Sequence, residues 1–161
     1  MNVKYIVIHC TGANANQTTK EILNYWKNVK KWKNVGYHFI IDTDGSITQL
    51  SPTNKPTNGV KGYNSQSVHI CYKGGINVET KKAEDTRTNP QKAALKQLIL
   101  RMLNFFPDAY VIGHRDLGSY DSNRNGRIDT WERIKECPSF DVYDWLNSIN
   151  FEQMEKVKKV K

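Results

Sequence analysis

The chain has 161 residues, 38% of them hydrophobic and 11% aromatic, which suits one domain with a hydrophobic core of its own and excludes a disordered chain. With 24 Lys and Arg against 16 Asp and Glu, its formal charge is +8. The basic residues are dispersed apart from a short terminal cluster, Lys156 to Lys161, so an anionic polymer is a fitting partner, whereas the absence of a basic helix or nucleic-acid motif leaves no nucleic acid expected. Val3 to His9 is continuously apolar towards its end, the mark of a strand covered on both faces. Thr11 to Gln17 is a polar loop. Thr18 and Glu21 then form a capping box, opening a helix with Ile22, Trp26 and Val29 on one stripe. Gly36 breaks that pattern.

Tyr37 to Ile41 reads as a second strand, and Asp42-Thr43-Asp44-Gly45 carries the turn chemistry of a hairpin returning through Ile47 to Leu50. Residues 51–62, rich in Pro, Asn and Gly, form a loop leading to a strand at Ser67 to Lys73. After a polar loop over 74–88, Asn89 and Pro90 are placed as N-cap and first residue of a helix. Its buried face is Leu95, Leu98, Ile99, Met102, Leu103 and Phe106, and Pro107 follows its end. Tyr110 to Gly113 reads as a short central strand running into His114. Ser139, Asp141 and Asp144 open a last helix that carries Trp145, Leu146 and Ile149.

This order predicts an α/β fold: a single domain with a mixed central β-sheet flanked by helices on its faces. The domain is expected over 1–150, with 151–161 a basic tail. No run of ~18–20 apolar residues is present to span a membrane. The apolar Tyr5-Ile6-Val7-Ile8 is too short for the core of a secretory signal, so the chain is expected in the cytoplasm of its producing cell. A monomer is expected.

Two histidines end strands in matching surroundings: His9 closes Ile6-Val7-Ile8, and His114 closes Tyr110-Val111-Ile112-Gly113. Strand ends in such sheets are where loops collect functional groups. If the two strands are neighbours, both imidazoles reach one mouth of the sheet, and Cys137, within KECPSFD, arrives on the loop after His114. Two imidazoles and a thiolate leave the fourth position of a tetrahedral zinc open, as a catalytic site requires.

The stretches IVIHCTGA, VGYHFIIDTDGSI, GYNSQSVHICYKGG, GHRDL and KECPSFD, in that order, resemble the motifs of the zinc-dependent N-acetylmuramoyl-L-alanine amidases. The similarity is to the phage lysozyme-type branch, related to the peptidoglycan recognition proteins, and runs from Tyr5 to about Trp145. It implies Zn2+ bound by His9, His114 and Cys137, with Tyr37 and Lys135 as catalytic residues. The implied reaction is cleavage of the amide between N-acetylmuramic acid and L-alanine of peptidoglycan by a zinc-activated water. The enzyme would act on the cell wall after release, as an endolysin does. The alternative is a non-catalytic peptidoglycan-binding module, but relatives of that kind typically lose the cysteine, and Cys137 is present. Two departures bear on substrate contacts. Asn58-Gly59-Val60 stands before Lys61-Gly62-Tyr63-Asn64 where related phage enzymes often have a histidine, and Trp26-Lys27 replaces a Trp-His pair.

The other histidines and Cys10 read as structural. His38 is expected to hydrogen-bond on the far side of its strand from Tyr37. His69, where such relatives usually carry a small residue, reads as strand filler, and Cys10 as a buried thiol. Finally, Asp121 to Glu132 fits the pattern D-x-N-x-N-G-x-I-x-x-x-E of a Ca2+ loop. Asp121, Asn123, Asn125, the Arg127 carbonyl and Glu132 are its oxygen ligands and Gly126 its turn. The competing reading is an Asx-rich turn in which Asp129 or Thr130 caps a short helix.

Overall fold

The computed structural model describes residues 1–119, 122–124, 129–133 and 135–158. Strands β1 (Tyr5–Cys10), β2 (Phe39–Ile41), β3 (Ile47–Gln49), β4 (Ser67–Tyr72) and β5 (Tyr110–Gly113) form one five-stranded sheet in the order β3-β2-β4-β1-β5. The β2–β3 hairpin is antiparallel and every other pairing is parallel, so the sheet is mixed, as expected. β5, expected as a central strand, is instead last in the order and pairs only with β1 among the five strands. β1 lies between β4 and β5 and is apolar on both sides because both of its faces are covered.

Side chains alternate across the sheet. Ile6, Ile8, Ile70 and Tyr72 face the helices α2 (Asn89–Phe105) and α3 (Val142–Ser148), which bury Leu95, Leu98, Ile99, Met102, Leu103, Val142 and Leu146 against them. The opposite face is covered at one place by Ile22 and Trp26, packed on Ile40 and Cys71. At another, Val60 and Leu117 cover Val7 and Ile112. His9, next but one after Val7, belongs to this second face.

Two local expectations are corrected. The N-cap of α2 is Thr88, not Asn89: its hydroxyl accepts from the Gln91 N–H, and the Gln91 side chain accepts from the Thr88 N–H. That reciprocal pair satisfies two free donors at once, which an Asn89 cap followed by proline does not, so the helix starts one residue earlier. Val29 is not on the buried stripe; it is 64% exposed. Helix α1 (Thr19–Asn24) opens with the expected Thr18–Glu21 box but widens into a π turn over Tyr25–Val29, which rotates Val29 outward.

The sequence reading ends the domain at residue 150, whereas 151–158 packs on it. Phe151 and Val157 join the main core, Val157 bridges to Val111, and the Lys158 N–H donates to the Val111 carbonyl at 2.9 Å. Val157 turns into the core while Lys158 after it is exposed. Phe151→Ala should therefore cost about 3–5 kcal/mol in urea unfolding. A solvated tail would give a change within about 0.5 kcal/mol.

Candidate metal centre

The register of β1 builds the site. Ile8 pairs with Gly113, so the residue after Gly113 comes level with His9, and the rings of His9 and His114 lie 4.7 Å apart. Cys137 is brought in by backbone and thiol contacts. The Arg115 N–H donates to the Cys137 carbonyl (2.7 Å), and the Cys10 N–H donates to the Cys137 Sγ (3.3 Å). The Tyr72 hydroxyl holds the next residue through the Pro138 carbonyl at 2.8 Å.

The donor atoms of His9, His114 and Cys137 all lie within 4.8 Å of one another, and His9 Nδ1 stands 3.7 Å from Cys137 Sγ. Zinc bonds of about 2.0 Å to nitrogen and 2.3 Å to sulfur at the tetrahedral angle separate N and S by about 3.5 Å. In donor chemistry and in spacing, the three residues fit the metal.

Electrostatics agree. Burial, then the neighbouring His114, His69 and Lys135, hold the His9 imidazole well below its ordinary range. Burial, with the Lys135 charge second, lowers His114 to about 4. Both rings are thus neutral, with a lone pair free for a cation. Burial pushes the Cys137 thiol up. A buried cation beside it is what would make its thiolate the stable form.

His114, Cys137, Tyr37 and Lys135 line one cleft of about 380 Å³, with His9 fully buried behind it. Tyr37 is half-buried, its ring 4.9 Å from that of His9 and edge-on to Trp26 at 5.3 Å. Burial raises its phenol well above the usual range, so it stays a hydrogen-bond donor. Lys135 is exposed at the rim. A second lobe of about 320 Å³ shares Thr11, Gly12 and Tyr37 with the first and extends along Gln17, Tyr25 and Trp26. Together the two lobes make an extended groove.

His38 makes the structural hydrogen bonds expected. Its Nε2–H donates to the Lys55 carbonyl (2.9 Å), leaving Nδ1 to accept from the His69 N–H (2.9 Å). It does not lie on the far side from Tyr37: its ring stacks on His69 and that of Tyr37 lies near His9, both on the same face, because the two residues precede β2 and strand alternation does not govern them. Cys10 is a buried thiol, 3.5 Å from the Ser139 hydroxyl. His69 is not filler. Its Nδ1 lies 3.0 Å from His9 Nε2, while its own Nε2 is buried without a partner among the described residues. Only the strand register reveals this: His69 pairs with Val7, two residues from His9 and on the same face.

Of the candidate calcium ligands, Asp121, Asn125 and Arg127 lie outside the described residues. Glu132 accepts from the N–H and hydroxyl of Ser122 (2.7 and 2.6 Å) and from the N–H of Asn123 (3.2 Å) and Asp129 (2.9 Å). Asn123 Nδ2 donates to Asp129 Oδ2 at 3.0 Å. Asp129 caps the short 3-10 turn Thr130–Glu132.

A mixed sheet with two histidines at the ends of adjacent parallel strands, and a cysteine brought beside them by a loop, defines an α/β protein with a candidate metal centre. The profile of N-acetylmuramoyl-L-alanine amidase matches residues 1–139, and the chain belongs to that family. An endolysin of Enterobacteria phage K11 is 32% identical over 143 residues, covering 88% of this chain and 83% of the phage protein. Peptidoglycan-recognition protein SC2 of Drosophila melanogaster is 27% identical, covering 83% and 76% respectively. Among solved structures, the N-acetylmuramoyl-L-alanine amidase LysC of Clostridium intestinale superposes with a TM-score of 0.70 at 26% identity, covering 93% of this chain and 87% of that one.

The buried imidazoles carry a pH signature. His114 and His69 are lowered from 6.5 to about 4 and about 3, and His9 is lowered well below 6.5. Between those values and 6.5 the unfolded chain binds more protons than the folded one, so stability falls as pH falls. Each histidine contributes up to about 1.4 kcal/mol per pH unit in that window. The melting temperature of chelator-treated protein should drop steeply from pH 6.5 to pH 4; a flat profile would mean that the rings are not desolvated.

Proposed function

We propose that the chain hydrolyses the amide joining the lactyl group of N-acetylmuramic acid to L-alanine in peptidoglycan, with zinc held by His9, His114 and Cys137. The observation that carries this reading is the convergence of those three donors beside an extended groove. Held by these three residues, zinc would supply a Lewis acid able to activate water and polarise the scissile carbonyl.

The chain's own residues do the rest. Tyr37, protonated and facing the cleft, donates a hydrogen bond to the charge that develops on the carbonyl oxygen. Lys135 adds a cation at the rim, and one well-aimed donor of this kind is worth ~2.7–4 kcal/mol. The adjoining lobe, with Gln17 as a polar contact and Tyr25 and Trp26 as apolar ones, seats the substrate beyond the reacting bond. The charge of +8 draws the protein to an anionic wall, its site of action after release from the cytoplasm of the producing cell.

Mass spectrometry of digested peptidoglycan should show free L-alanine amino termini and intact glycan strands. Cys137→Ala should lose zinc and activity together. Lys135→Ala and Tyr37→Phe should keep zinc and KM while kcat falls about 100-fold, the signature of an interaction made in the transition state. Full activity in all three variants would overturn the assignment.

For the loop 121–132, calcium is retained as a proposal carried by the sequence pattern. Titration of the zinc-loaded protein with millimolar calcium should give heat and a higher melting temperature. Neither would appear if Glu132 serves only the hydrogen bonds it makes within the loop.

A further inference from the structure

His9 presents its two ring nitrogens to different partners. Nδ1 lies 3.7 Å from Cys137 Sγ, and Nε2 lies 3.0 Å from Nδ1 of His69. A neutral imidazole has one N–H and one lone pair. For Nδ1 to offer its lone pair to a cation, the proton must sit on Nε2, and a buried N–H needs an acceptor. His69 Nδ1 is in place to accept it. The reverse arrangement, His69 Nδ1–H donating to His9 Nε2, moves the His9 proton to Nδ1 and closes the donor set.

His69 is itself fixed. Its backbone N–H donates to His38 Nδ1 at 2.9 Å, and its carbonyl accepts from the His38 N–H at 3.0 Å. The two rings stack at 5.8 Å with 27° between their planes. The remaining wall is Gly59. A Cβ there would lie 2.4 Å from His69 Cγ and Nδ1, closer than any packed side chain tolerates. Gly59 therefore supplies the space in which the His69 ring sits.

We propose that His69, seated against Gly59, is a positioning residue of the metal centre that accepts the His9 Nε2 proton and so fixes His9 in the tautomer whose Nδ1 binds the metal. This role rests on the zinc reading above. It puts the His69 proton on Nε2, because Nδ1 is in use as the acceptor. That N–H has no partner among the described residues, a cost that metal binding at His9 Nδ1 must offset. Outer partners of this type commonly set metal affinity by 10–100-fold.

The test is zinc affinity by competition with a chromophoric chelator. His69→Leu, which fills space without an acceptor, should weaken zinc binding 10–100-fold. His69→Asn, whose Oδ1 can take the place of Nδ1, should stay within about threefold of the parent, since it restores the acceptor. Gly59→Ala should weaken zinc binding when His69 is present but not in a His69→Ala background. Equal affinity in His69→Leu and the parent, or equal loss in His69→Asn and His69→Leu, would overturn the proposal while leaving the zinc site standing. A parent that binds no zinc would overturn both.

Long-range 15N–1H correlation spectra of the unsubstituted zinc-loaded protein give a second readout that needs no variant. Protons on Nε2 of both His9 and His69 are expected. A proton on His69 Nδ1 would sink the proposal whatever the variants do.

Discussion

Everything at the site depends on β1 being held in parallel register between β4 and β5. That pairing places Ile8 beside Gly113 and Val7 beside His69, and so delivers His114 and His69 to the His9 side of the sheet. Because side chains alternate strictly along a strand, a slip of one residue would send His9 into the α2–α3 face and Ile8 towards the cleft. Ile6, Ile8 and Val7 are fully buried on the two faces, so the hydrophobic cost of such a slip fixes the register. The metal chemistry is thus positioned by aliphatic packing.

The second constraint is desolvation. Four imidazoles and the Cys137 thiol occupy one face and end of a mostly apolar sheet, and a buried polar group without a partner costs roughly 1–3 kcal/mol. The protein answers with a chain of contacts. The Lys55 carbonyl accepts from His38 Nε2, His38 Nδ1 accepts from the His69 backbone, and the His69 ring meets His9. The loop over 51–62 takes part through a carbonyl and through empty space at Gly59, with no charged group. In a low dielectric such a network is rigid when satisfied.

The large elements were legible in the sequence because their signals are local. Alternation, the Thr18 capping box and the Asp-Gly turn each report on a few neighbouring residues. So was the donor set, because His9 and His114 close similar strands and Cys137 precedes a proline. What was illegible is what depends on contact between distant segments. Gly59 and His69 read as two unrelated departures from the family resemblance, yet they touch, and neither is intelligible without the other. Val29 was misplaced because a π turn changes the helical period, which no residue type announces. The cap of α2 went to Asn89 because Asn-Pro is a strong pair, but the Thr88–Gln91 exchange satisfies more donors.

The geometry also weighs catalysis against recognition. A module that only binds peptidoglycan needs the groove along Gln17, Tyr25 and Trp26, and that groove does not require three metal donors. Burying two neutral imidazoles and a thiol against one another is unfavourable without a cation to share. A purely structural metal normally has its coordination sphere closed by four protein ligands. Here His9, His114 and Cys137 bring three donors together, and Tyr37 and Lys135 line the cleft beside them. That combination supports the hydrolysis proposed above, in which the carbonyl of an amide would gain negative charge on attack and need donors aimed at it.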